Sequence, residues 1–133
     1  MTVIGVGIDA VDVDRFRRSL ARTPRLVDRL FTADERAYAS RRRDPTELLA
    51  ARFAAKEAVM KALGVGLGAF AFSDVEVARA ASGAPSLVLR GSASALAADH
   101  GVLEWKVSLT HTAHLAEAIV VALGETTPTC IDT

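Results

Sequence analysis

Residues Thr46–Leu63 read TELLAARFAAKEAVMKAL, with no glycine or proline until Gly64 closes the run. Ala, Leu, Glu, Lys and Arg fill most of it, and these residues lose least on entering a helix. A glycine just past the end supplies the left-handed stop. The run predicts one long helix, Thr46 to Leu63. Phe53, Val59, Met60 and Leu63 make much of it apolar, so part of its charged set is expected to be half-buried.

Downstream, Gly64-Val-Gly66-Leu-Gly68 reads as a flexible loop. It follows a helix and precedes a strand, the reverse of the order a dinucleotide fingerprint needs, so it is neither a Rossmann motif nor a Walker A loop. Asp74 to Ala80 and Pro85 to Arg90 alternate like strands around a Ser82-Gly83 turn. Gly91 to His100 is an Ala-rich helix. Val102 to Leu109 and Ala116 to Leu123 read as a closing strand pair around Thr110–His114, although the second is Ala-rich enough for a helix. Upstream, Thr2 to Ile8 is β-branched and strand-like and ends at Asp9. Asp12 or Asp14 caps a helix to about Leu20, and Pro24 interrupts it. Thr32-Ala-Asp-Glu35 matches a capping box, opening a short helix to about Arg41. Arg41-Arg42-Arg43-Asp44-Pro45 is a loop. The pattern is α+β in a single domain over residues 1–124, with 125–133 a disordered tail carrying Cys130.

Composition narrows the function. At 133 residues the chain suits one domain, and half of it is hydrophobic with 24% charged, a balance that favours folding over disorder. Sixteen basic and sixteen acidic residues cancel, so bulk attraction to nucleic acid or membrane is not expected. Aromatics at 5% are too few for a base-stacking platform. One cysteine excludes an internal disulfide and suits a reducing cytoplasm. The N-terminus lacks a basic leader and meets acids by Asp9, unlike a signal peptide. No apolar stretch is long enough to span a bilayer. Charge is nevertheless segregated: from Arg15 to Arg43 there are ten arginines against three acids. Such a segment either meets an acidic partner or is a solvated face.

Four constellations carry possible chemistry. Asp9, where a strand stops, either binds a hard cation such as Mg²⁺ or caps the next helix. Glu57 and Lys61 share a helix face, and hold a metal and a phosphate or form an ordinary exposed pair. The glycine loop brings backbone amides to a ligand or is only a turn. In Ser108-Leu-Thr110-His111-Thr112-Ala-His114, two histidines and their hydroxyls bind phosphate, move protons, or merely satisfy a hairpin. A zinc site lacks a third ligand.

Singly these decide nothing, but in order they do. Gly5-Val-Gly7-Ile8-Asp9, then Arg52-Phe-Ala-Ala-Lys56-Glu57-Ala with Lys61 and Gly64, then Gly83-x-Pro85, then Ser108-Leu-Thr110-His111-Thr112 resembles the holo-[acyl-carrier-protein] synthase family, the small phosphopantetheinyl transferases. The likeness runs from Val3 to about Leu123, and its central run is highly specific. It implies a mainly antiparallel sheet packed on one long helix, assembled as a homotrimer with active sites between subunits. It implies transfer of the 4′-phosphopantetheine group of coenzyme A to a serine of an apo acyl carrier protein, releasing 3′,5′-ADP. By the same likeness Asp9 and Glu57 are the Mg²⁺ ligands, and Glu57, Lys61 and His111 are catalytic. Arg52, Lys61, Gly64, His111 and Thr112 hold coenzyme A. Arg15, Arg18 and Arg22 lie in the region of the family's carrier-docking helix. The likeness leaves open whether the carrier serves fatty-acid or polyketide synthesis, and it assigns no role to Arg41–Arg43. The competing reading is a non-catalytic binding module whose arginine-rich helix holds an acidic partner or RNA. That reading leaves Asp9, Glu57, Lys61 and His111 unexplained.

Overall fold

The computed structural model describes residues 1–125; the tail expected at 125–133, Cys130 included, lies outside the described residues apart from Glu125. In chain order the elements are β1 (Thr2–Asp12), α1 (Val13–Arg22), α2 (Leu26–Leu30), α3 (Ala33–Ala39), α4 (Thr46–Leu63), a 3₁₀ turn (Phe72–Asp74), β2 (Val75–Arg79), β3 (Pro85–Leu89), α5 (Gly91–Asp99), β4 (Val102–His111) and β5 (Leu115–Gly124). The expected α+β class holds, but the strands form two antiparallel sheets: β1-β5-β4 and the hairpin β2-β3.

Two local expectations hold to the residue. Helix α4 spans Thr46–Leu63, and Gly64 ends it at φ 67°, a conformation glycine adopts without steric cost. The capping box is formed: the Thr32 hydroxyl accepts from the Glu35 amide, and the Glu35 carboxylate accepts from the Thr32 amide. Three others are corrected. β1 does not stop at Asp9, because ladder pairing with β5 carries it on to Asp12 opposite Leu115. Asp12 then caps α1 by accepting from the Arg15 amide at 2.8 Å. After Pro24 the chain forms a further short helix, α2, which the sequence pattern does not signal. β4 runs on to His111, so that histidine stands on a strand and the turn begins at Thr112. β5 is a strand throughout, which removes the helical alternative.

α4 is buried nearly all round, as a helix enclosed by its own domain must be. It crosses the inner face of the three-stranded sheet. That approach depends on two glycines in β1: a Cβ on Gly5 would fall onto the Ala62 carbonyl, and one on Gly7 onto the Ala58 carbonyl. Ala54, Ala55, Ala58 and Ala62 answer on the helix side, all buried. The strand period of two then puts Asp9 on the same inner side as Gly5 and Gly7. Val6 and Ile8 alternate to the outer face and stay exposed, as do Ile119, Val3, Leu103 and Leu115. All five phenylalanines pack near one another beside α4: Phe16 stacks on Phe53 at 5.2 Å, Phe31 meets Phe16 edge-on, and Phe72 contacts Phe53 and Phe70.

Candidate functional site

The inner face of β1 and the last turns of α4 bring three expected residues together. Lys61 Nζ donates to Asp9 Oδ1 at 2.9 Å and to the Ile8 carbonyl at 3.0 Å. Its partner is therefore a carboxylate on another element, not Glu57 one turn earlier. The Asp9 side chain is only 14% exposed. Glu57 is half-buried beside it, and burial pushes its carboxyl up, with the Asp9 charge adding to the effect and Lys61 opposing it. Two acids close enough to repel, with one cation shared between them, leave net negative charge at this point.

Asp9 and Glu57 open onto a cleft of about 920 Å³. Phe16, Phe53, Phe70 and Phe72 line it, and Arg15 stands at its edge. The end of the glycine loop, Leu67 and Gly68, and the segment Phe70–Ser73 that leads into the 3₁₀ turn line it as well. Gly64 starts that loop from α4, with open space around it.

Arg52 does not join this group. Although it lies one residue from Phe53, it turns to a second cavity of about 360 Å³ between α3, α4 and β2. There it is 3% exposed, and its guanidinium lies 4.9 Å from the centre of the Tyr38 ring. Its Nε has no partner among the described residues. Arg79 and Arg41 approach the same ring at 5.3 and 5.8 Å. Burial works to raise the Tyr38 phenol, but hydrogen bonding from Arg42 and the charges of Arg79 and Arg52 outweigh it and hold it lower. A buried donor without a partner, among several cations, can meet an anion, although Asp34, Glu35 and Glu76 also line this cavity. The gathering of Tyr38, Arg41 and Arg79 around Arg52 is not legible in the sequence, where Arg41–Arg43 reads as part of a loop.

His111 and Thr112 stand apart from the carboxylates. His111 Nδ1 pairs with Glu47 Oε1 at 3.0 Å. Glu47 is in the first turn of α4, ten residues and about 15 Å of helix from Glu57. Thr112 accepts from the His114 and Leu115 amides and shapes the β4–β5 turn. Neither lines the cleft that Asp9 and Glu57 face. On α1, Arg15, Arg18 and Arg22 are exposed along one face. Arg17 is held differently, by Asp14 at 2.6 Å and Asp44 at 3.0 Å.

The surprise is Lys56, in the middle of the signature run. It is fully buried, and its ammonium is bound by Glu35, also fully buried, at 2.8 Å. A fully enclosed ion pair has no sequence signature, but the alanines at 54, 55 and 58 are the one hint that this face of α4 is tightly packed.

The chain resembles known proteins over most of its length. Residues 5–122 match the model of the 4′-phosphopantetheinyl transferase superfamily. A holo-[acyl-carrier-protein] synthase of Streptomyces avermitilis is 52% identical over 93% of this chain and 100% of that one. The crystal structure of the holo-[acyl-carrier-protein] synthase of Neisseria meningitidis superposes with a TM-score of 0.84 at 29% identity, covering 92% of this chain and 99% of the other. A synthase from Chronobacterium ammoniagenes, solved as its coenzyme A complex, gives 0.83 at 28% identity, over 91% and 97% of the two chains.

Proposed function

The chain belongs to the 4′-phosphopantetheinyl transferase superfamily, and we infer from that premise how its residues work. The reaction is transfer of 4′-phosphopantetheine from coenzyme A to a serine of an apo acyl carrier protein. The serine oxygen forms a bond to the phosphorus that carries pantetheine. The bond from that phosphorus to the bridging oxygen breaks, and 3′,5′-ADP leaves with the electron pair. The observation that carries this reading is the junction of Asp9, Glu57 and Lys61 at the mouth of the cleft, within a chain 52% identical to a holo-[acyl-carrier-protein] synthase.

The two carboxylates fit Mg²⁺. They are hard oxygen donors whose two negative charges Lys61 neutralises only in part. Mg²⁺ asks for such a partial set and takes its remaining positions from water and phosphate. Bound there, it would neutralise charge on the pyrophosphate as the bridge breaks. Lys61 adds a positive charge to the same phosphates. Glu57, held above the ordinary carboxylate range by burial, is suited to take up the serine proton.

Arg52 and its neighbours Arg41 and Arg79 offer the anion pocket for nucleotide phosphate, and His111 with Thr112 belongs to the nucleotide side as well. Because His111 and the carboxylates are apart within one chain, we assign the complete site to the junction of two subunits of a homotrimer. The exposed apolar outer face of Val6, Ile8 and Ile119 supports a second copy packing there. Co-expressed Asp9→Ala and His111→Ala chains are then expected to regain activity that each lacks alone. The same activity from mixtures as from the single variants would refute a shared site.

Arg15, Arg18 and Arg22 are the docking face for an acidic carrier. The proposed compartment is the cytoplasm; no helix among the described residues is long and apolar enough to cross a membrane. The function is tested by incubating the protein with coenzyme A, Mg²⁺ and an apo carrier. A carrier mass gain of one phosphopantetheine group supports it; unchanged carriers across a panel would support the binding module instead.

A further inference from the structure

We propose that Lys56 is the positioning residue of the site: its single ammonium fixes the walls of both cavities to the helix that carries Arg52 and Glu57. The inference deepens the transferase reading and rests on it for the identity of the ligand.

An ammonium has three N–H donors, and Lys56 spends each on a different segment. One goes to Glu35 Oε1 at 2.8 Å, one to the Phe72 carbonyl at 3.0 Å, and one to the Val75 carbonyl. Glu35 is itself fully committed. Its Oε1 accepts from the Thr32 amide and its Oε2 from the Val77 amide, both at 3.0 Å. The Thr32 hydroxyl donates onward to Glu76 Oε1 at 2.6 Å. So α3, the 3₁₀ turn and the start of β2 all converge on one buried cation of α4.

These segments are the ones that build the site. Phe70 to Ser73 face Asp9 and Glu57 across the large cleft. Tyr38 on α3 and Arg79 on β2 enclose Arg52 in the smaller one. Lys56 directly precedes Glu57, so the helix turns one residue to the packed side and the next to the cleft.

Net stability does not explain such a pair. Desolvating two charges offsets most of their attraction, and apolar residues of similar volume often serve stability as well. What the ammonium adds is direction, since each bond must point at one acceptor. A positioning role therefore predicts weaker use of the nucleotide, not only a lower melting temperature.

The test is Lys56→Met, compared with wild type well below the melting temperature of both. The KM for coenzyme A is expected to rise about tenfold or more, with kcat and the carrier KM changing less than about threefold. Amides of residues 70–77 should exchange hydrogen faster, while those of β1 and β5 should not. An unchanged coenzyme A KM in a folded variant would overturn the proposal, as would unchanged exchange in that segment. Glu35→Gln keeps both carbonyl bonds of Lys56, so it should raise the coenzyme A KM while leaving the exchange of residues 70–73 as in wild type. If neither variant folds, wild-type exchange decides: the Val77 amide should open only with global unfolding, and faster local opening would refute the anchor. A wild type that does not turn over coenzyme A would sink the transferase reading alone, because the exchange pattern is measured without substrate.

Discussion

Lys61 Nζ and Asp9 Oδ1 stand 2.9 Å apart although 52 positions separate them in the chain. The contact joins the last turn of α4 to β1, where Asp9 and Glu57 line the same cleft. Removing either carboxylate should therefore disable the chemistry and spare the fold. Asp9→Ala and Glu57→Ala are expected to cut transfer by about 10²–10³-fold, the range for losing one preorganised charge-stabilising group. Circular dichroism and carrier mass spectrometry on the same samples check this. Near wild-type turnover in either variant at physiological Mg²⁺ would remove that residue from the site.

The relation between Asp9 and Glu57 depends on how closely β1 lies on α4. Gly7→Ala sets a methyl group against the Ala58 carbonyl, a backbone group that cannot swing aside. The expected cost is about 1–3 kcal/mol or more of stability, as for overpacking elsewhere, together with loss of activity. Urea unfolding would measure it, and a variant as stable and active as wild type would refute the close approach.

How much of this was legible follows from where the information lies. The bounds of α4 and the Thr32–Glu35 capping box are local, written in residues within a turn of one another, and both appear as the sequence indicates. The end of β1 is not local: Asp9 looks like a terminus, but the ladder to β5 carries the strand to Asp12. Motifs single out the candidate residues but not their grouping. Lys61 pairs with Asp9 and not with Glu57, while Arg52 faces another cavity. The Lys56–Glu35 pair was invisible because charged residues in a helix usually face water, and only the fold encloses them.

The arginines of α1 separate into two kinds. Arg17 is tied to Asp14 and Asp44, whereas Arg15, Arg18 and Arg22 are exposed at i, i+3 and i+7. Reversing these three to Glu should raise the carrier KM roughly tenfold at low salt and leave the coenzyme A KM nearly unchanged. Added salt should weaken the wild type more than the variant. Steady-state kinetics with each substrate varied in turn would test it; an unchanged carrier KM would reduce the cluster to a solvated face.

One acid-dependent contribution to stability is expected at the start of α4. The Thr46 hydroxyl and amide, and then Arg17, hold the Asp44 carboxyl below the ordinary carboxylate range. A carboxylate depressed in the folded state contributes stability that is fully present above its unfolded pKa of about 3.9. That contribution is lost as pH falls through the folded value. The stability gap between wild type and Asp44→Ala should thus be constant from neutral pH down to about 5 and shrink below about 4. Denaturant titrations across that range would decide it, and a gap that widens in acid would contradict the assignment.

The most direct measurement of the central claim follows both products of one reaction. Wild-type protein, coenzyme A, Mg²⁺ and an apo acyl carrier protein are mixed, and the carrier mass and free 3′,5′-ADP are quantified together over time. The account predicts a carrier gain of one phosphopantetheine group, one 3′,5′-ADP released per carrier modified, and neither product when the carrier serine is replaced by alanine. Release of 3′,5′-ADP without carrier modification, or no reaction with any carrier tested, would contradict it.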